Sequence, residues 1–162
     1  MQKRSELADI FPLPVEAKRL HFFLGNWKVD GGLTFMGRTF GVKGDAKFSL
    51  AAAGWGVLVI AKLEIEGLGV YEEADILAFN RNEKTYHFFA VTNTAAAFDH
   101  TGNWLNDNVI SFSYEGSHDG KKYKEELSII IQDQNQITIN EKDSIENQIV
   151  TTMDVTLKKE ID

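Results

Sequence analysis

The 162-residue chain is 43% hydrophobic and carries 17 basic against 24 acidic residues, a formal net charge of −7. That length and apolar content fit one domain around one core, and the acidic balance makes nucleic acid and anionic membrane poor partners. The absence of cysteine removes disulfides, thiol nucleophiles and thiolate metal ligands together and leans towards a reducing compartment, so a cytoplasmic protein is expected.

Residues 1–12 carry little pattern and are expected to form a loose arm ahead of a barrel domain spanning 13–162. The basic start has no apolar run of signal-peptide length, and the best apolar run, "LAAAGWGVLVIA", is short for a bilayer span and broken by two glycines. The stretch "PLPVEAKRLHFFL" predicts the only helix, over 14–24. Pro14 suits its first turn, Glu16 its positive end and Lys18 and Arg19 its later part, and Gly25 stops it. Val15, Leu20, Phe23 and Leu24 would share its apolar face.

After Gly25 the hydrophobic period changes from 3.6 to 2 and stays there. Strands are predicted at 26–33, 39–51, 55–66, 70–79, 85–93, 95–104, 108–116, 121–132, 136–143 and 148–159. In the third, Trp55, Val57, Val59, Ala61, Leu63 and Ile65 are apolar throughout, and the opposite face begins with Leu58 and Ile60. That end is expected to be covered on both sides by the helix. The connections are rich in turn residues, and Asp119-Gly120 is a two-residue hairpin signal. With no second helix to link parallel strands, the fold class expected is all-β: a single antiparallel up-and-down barrel of about ten strands, with the short N-terminal helix closing one end. A barrel of that width tends to enclose a ligand cavity.

Gly25-Asn26-Trp27, following a short helix, resembles the Gly-x-Trp entrance to the barrel in lipocalins and other calycins. The stretches "FLGNW", "ILAFNRNEKTYHFFAV", "GNWLNDNVISFSYEG" and "MDVTLKK" look, in their order over roughly residues 20 to 159, like the DUF1579 family of uncharacterised bacterial proteins. Phe79-Asn80 stands where that family tends to have Tyr-Asp. The resemblance implies a barrel floor made by Trp27 under a basic residue of the last strand, normally arginine in lipocalins. Here the parity of Ile149, Thr151, Met153, Val155 and Leu157 selects Lys159. It implies no settled activity. Nitrobindin-like haem barrels extend the motif to Gly-x-Trp-x-Gly-x-Gly, but this chain continues Lys28-Val29-Asp30-Gly31, out of register, so no haem or other cofactor is expected.

His21, His87, His100 and His118 show no compact ligand spacing, and no metal site is expected. His87 and His100 fall on strands and are left as groups that could meet across the barrel. Inward-parity polar residues are sharper candidates: Tyr123 and Glu125 continue the face of Leu127, Ile129 and Ile131, Glu141 and Asp143 that of Ile137 and Ile139, and Tyr114 that of Phe112. Polar groups on an apolar inner face mark either the barrel mouth or a ligand-orienting site. The expected binding set is Phe88, Phe112, Tyr114, Tyr123, Glu125 and Glu141. The reading is a barrel that binds a small, mainly apolar or amphipathic molecule. The alternative is an enzyme in the same cavity, with Glu125, Glu141, His87 or His100 as general acid or base. A barrel that only presents a surface to another protein finds no exposed apolar strip in the sequence, and a homodimer is left open. If Trp27 is the floor, the links at 36–40, 67–69 and 93–95 frame the mouth, while 51–54 and 80–84 lie at the floor.

Overall fold

The computed structural model describes residues 6–161. Ten strands follow a short helical segment: β1 (Gly25–Phe35), β2 (Arg38–Ala51), β3 (Gly56–Ile65), β4 (Gly69–Asn80), β5 (Thr85–Thr92), β6 (Ala97–Trp104), β7 (Val109–His118), β8 (Lys121–Asp133), β9 (Gln136–Ile145) and β10 (Gln148–Lys159). Each pairs antiparallel with its neighbours in sequence, and β1 pairs with β10, so the sheet closes into a barrel with no free edge. The expected fold class is the observed one. Where strands approach most closely the inward position is glycine: a Cβ on Gly102 would sit 1.8 Å from the Ser111 carbonyl oxygen. No helix among the described residues is long and apolar enough to cross a membrane.

Ahead of the barrel lie α1 (Glu6–Ile10) and α2 (Val15–Arg19), the latter running into a 3-10 turn at Leu20–Phe23. The first part of the arm expected over 1–12 lies outside the described residues; Leu7 and Ile10, on α1, are exposed. The single helix expected over 14–24 is thus split in two. The tighter second half moves the inward stripe to Ala17, Leu20 and Phe23, spaced by three. Val15, expected on that stripe, is 74% exposed.

The floor is built on Trp27, which is fully buried. Its indole N–H donates to the Phe23 carbonyl at 2.8 Å. Lys159 lies directly opposite Trp27 in the β1–β10 ladder, with its ammonium 5.0 Å from the indole centre and donating to the Phe22 carbonyl at 3.5 Å. Gly25 is required beside this pair. Its φ is +132°, and a Cβ there would come within 2.9 Å of the Lys159 side chain. Phe23 stacks on Trp104 at 6.2 Å between centres, and the Arg19 guanidinium lies 3.8 Å from the same indole, pinning the helical segment under the barrel.

The helical segment sits beneath the end of the barrel and not on its wall, which corrects one expectation. Ile60 is 47% exposed instead of covered. On the outer face Leu58 pairs with Ile76 and Ile76 with Phe89, while Ile60 pairs with Ala74 and Ala74 with Val91. The outside of β3, β4 and β5 therefore carries an apolar strip that the sequence reading did not expect.

Because Trp27 ties the helical segment, β1 and β10 together, Trp27→Ala is expected to cost about 3–5 kcal/mol in urea-induced unfolding. A wild-type midpoint in the variant would refute the floor assignment.

Candidate functional site

Opposite the floor the barrel opens into a cavity of about 550 Å³. Phe35, Leu68, Val70, Asn93, Thr94 and Ala96 frame its rim, so two of the links expected at the mouth, 67–69 and 93–95, contribute to it, while of the first hairpin only Phe35, just before the expected 36–40 link, reaches the rim. Below it a narrower space of about 50 Å³ runs down among apolar side chains of β1, β2, β3, β9 and β10. Glu73, Phe88, Leu127, Glu141 and Met153 line both spaces and mark their junction.

Period-2 alternation carries an acidic cluster into this interior. On β8 Tyr123 and Glu125 face in, and on β9 Glu141 and Asp143 do so. The ladder sets Glu125 directly opposite Asp143 and Leu127 opposite Glu141. From β4 come Tyr71, Glu73 and Asp75, and from β6 His100. Tyr123 donates its hydroxyl to one oxygen of Glu125 at 2.7 Å, while His100 Nε2 meets the other at 2.6 Å. His100 Nδ1 must donate to the Phe88 carbonyl, 3.1 Å away, which leaves one proton between Nε2 and Glu125. Burial disfavours the imidazolium, but the hydrogen bond and charge of Glu125 outweigh it, and the His100 pKa is raised. The two side chains are tied by this single short hydrogen bond.

The other carboxyl groups hold protons more tightly than usual. Burial first, then the charges of Glu73 and Glu125, pushes Asp75 up to about 9. Asp75 is 1% exposed, and neither of its carboxyl oxygens has a hydrogen-bond partner. Burial and the Glu125 charge raise Asp143 to about 7 against the opposing effects of Tyr123 and His100. Glu141 is raised well above its ordinary value by burial and by four neighbouring carboxylates. Burial also raises Glu73 despite the hydrogen bond it accepts from Tyr71 at 3.0 Å. At neutral pH the interior thus presents a mixture of carboxylic acids and carboxylates, with donors and acceptors side by side.

Of the expected binding set, Phe88, Tyr123, Glu125 and Glu141 line the cavity. Tyr114 faces inward opposite Glu125 but is stacked at 4.3 Å on Phe98, and Phe98 is the ring that lines the space. Phe112 is buried core, 5.7 Å from Phe88. His87 and His100 do not meet. Phe88 is the residue opposite His100, so its neighbour His87 points outward, between Glu83 at 2.6 Å and Asp99 at 3.0 Å. His21 donates to the Gly54 carbonyl at the floor, and His118 is exposed.

Sequence reasoning missed Tyr71, Glu73 and Asp75. In "GVYEEADILAF" the alternate set Val70, Ala74, Ile76 and Ala78 is the more apolar, so hydrophobic pattern alone turns the acids outward. Leu77, fully buried, and Tyr71 and Phe79, packed against the core, share the parity of Asp75 and were the local signal for the true face. Oxygens of Glu125, Glu141 and Asp143 lie within 4.8 Å of one another, the set in the described residues that would suit a cation. Glu125, however, already has both oxygens engaged by His100 and Tyr123.

No protein family and no curated protein matches the chain. Among solved structures it is similar to an S-type phycobiliprotein lyase from Guillardia theta, with a TM-score of 0.61 at 10% identity over 93% of this chain and 95% of that one. That likeness concerns the fold, which is a calycin-like barrel.

Asp75 supplies a pH test. Its folded pKa lies above its ordinary value of 3.8, so its protonated form favours folding at acid pH, and that contribution is lost as pH rises towards about 9. Asp75→Asn is therefore expected to be stabilising relative to wild type at pH 8, with the gain shrinking by up to ~1.4 kcal/mol per pH unit as pH falls towards 4. Urea unfolding at several pH values measures this, and a gain independent of pH would refute it.

Proposed function

We propose that the barrel is a binding protein that takes a small, mainly apolar molecule inside, with Glu141 orienting its polar end and Tyr123 and Glu125 lining the cavity above it. The observation that carries this is the cavity itself: closed below by the Trp27 floor, open above, walled by apolar side chains, and of a volume usual for small-molecule sites. Buried carboxyl groups placed where apolar residues would stabilise the barrel more support a site kept for a ligand. The likeness to the phycobiliprotein lyase adds the fold and nothing about the ligand. We also place the chain with the DUF1579 family, on the ordered motifs from "FLGNW" to "MDVTLKK", with the barrel domain over 13–162 and a cytoplasmic location.

A second reading is favoured by one observation. Tyr123, Glu125 and His100 form a continuous hydrogen-bonded chain at the cavity wall, an arrangement able to deliver or remove a proton at a bound molecule. Ligand extracted from the protein after incubation with cell extract separates the two. Incubated in deuterated water, a ligand recovered without carbon-bound deuterium supports binding alone, and deuterium incorporation that is lost in Glu125→Gln supports catalysis at Glu125.

The mouth variant Ala96→Trp is expected to abolish ligand retention in native mass spectrometry while leaving the melting temperature close to wild type. Retention unaffected by that block would refute an interior site. Tyr123→Phe should lower stability by about 1 kcal/mol, the loss of one hydrogen bond. Glu125→Gln should cost more, because His100 is buried and loses its counter-charge.

A further inference from the structure

The chemistry of the occupant can be narrowed, on the reading that the barrel binds a small molecule. We infer that it is a cationic amphiphile, an organic ammonium on an apolar body, with the ammonium held at the junction of the two spaces by Glu73, Asp75 and Glu141 and the body directed towards the mouth.

The first ground is charge. Five carboxyl groups share the interior with one basic side chain, His100, and that imidazole is already committed to Glu125. Among the described residues no Lys or Arg lines either space. An organic carboxylate or phosphate would enter a site with no free cation to meet it and several acids to repel it. A neutral molecule could share hydrogen bonds with these groups but would bring no charge to offset the acids that ionise.

The second ground is Asp75. It is almost wholly buried, aimed into the narrow space, and has no hydrogen-bond partner at either oxygen. An unpartnered buried polar group is costly, and the barrel does not need it: the neighbouring Ile76 stands outside on the same strand. Shape provides a third ground. Glu73 and Glu141 line both spaces, so an ammonium at the junction, with three N–H donors to share, reaches acceptors from β4 and β9 at once. Phe88, at the same junction, presents an aromatic ring to the cation. Above it Leu33, Ile65 and Phe98 suit a hydrocarbon body. An inorganic divalent ion would use none of that apolar wall.

Binding has a consequence in protons. An ammonium that enters among carboxyl groups holding protons displaces a proton to solvent, so the interior keeps its net charge while the ligand brings its own.

The test uses three probes with one body and different charge: octylamine, 1-octanol and sodium octanoate, each titrated calorimetrically below its micellar concentration at pH 7. Octylamine is expected to bind at least about tenfold more tightly than octanol, and octanoate more weakly than either. Its binding heat should differ between phosphate and Tris in the direction of proton release. Asp75→Asn is expected to lower octylamine affinity about tenfold and to leave octanol affinity within about twofold, a contrast that a general loss of folding would not give. Octanoate binding as tightly as octylamine overturns the inference. So does an amine-to-octanol ratio unchanged by Asp75→Asn, or displacement of octylamine by an equimolar calcium salt. Equal binding of amine and octanol overturns the inference while the binding function stands; no binding by any of the three overturns both.

Discussion

Closing ten strands into a ring commits every second residue to the inside, and the circumference then leaves more room than the inward side chains fill. That constraint decides where the core lies and where it stops. Near the floor, Leu20, Phe23, Trp27 and Val57 are fully buried and belong to one core. Towards the other end, the inward positions of β4, β8 and β9 carry Tyr71, Glu73, Tyr123, Glu125, Glu141 and Asp143, and the space between them stays open. Floor and cavity are two ends of one packing problem.

Charge is the second constraint and works against the first. Carboxyl groups crowded into a poorly solvated interior cannot all ionise, so burial raises the pKa of Glu73, Asp75, Glu141 and Asp143, while Glu125 is bonded by the His100 imidazole and the Tyr123 phenol. A sequence selected for stability alone would place Ile76 inside and Glu73 and Asp75 outside. The opposite arrangement is present, and the same inversion leaves Ile76 and Phe89 on the outer wall. The acidic interior and the apolar exterior strip of β4 therefore have one cause.

Much of the fold was legible because it depends on local rules. Turn residues and strict alternation bounded the ten strands to within a few residues, while the pairing of Trp27 with a last-strand cation came from the calycin resemblance, the parity of β10 selecting Lys159. The helix was misjudged in one respect: the shift to 3-10 spacing after Arg19, which exposes Val15, depends on packing against Trp104 and has no local signature. The site was half legible. Tyr123, Glu125 and Glu141 lie on strands whose apolar residues face in, so parity found them. Tyr71, Glu73 and Asp75 lie on a strand whose apolar majority faces out, and only its register with β3 and β5 reveals it. The partnership of His100 with Glu125 joins residues 25 apart across β6, β7 and β8, a distance that periodicity does not describe.

The ladder between β1 and β10 also orders events in time. Lys159 reaches back 137 residues to the Phe22 carbonyl, and the backbone N–H of Glu160 donates to Asn26 at 2.9 Å. During synthesis the first strand emerges from the ribosome long before the last. A nascent chain can form nine strands as a meander of hairpins while β1 and β9 still expose unpaired backbone. Pairing between the two ends is the most non-local step of the topology and the slowest to be rewarded. Until it occurs Trp27 lacks Lys159 opposite it, and β9, which carries Glu141 and Asp143, has one unpaired edge.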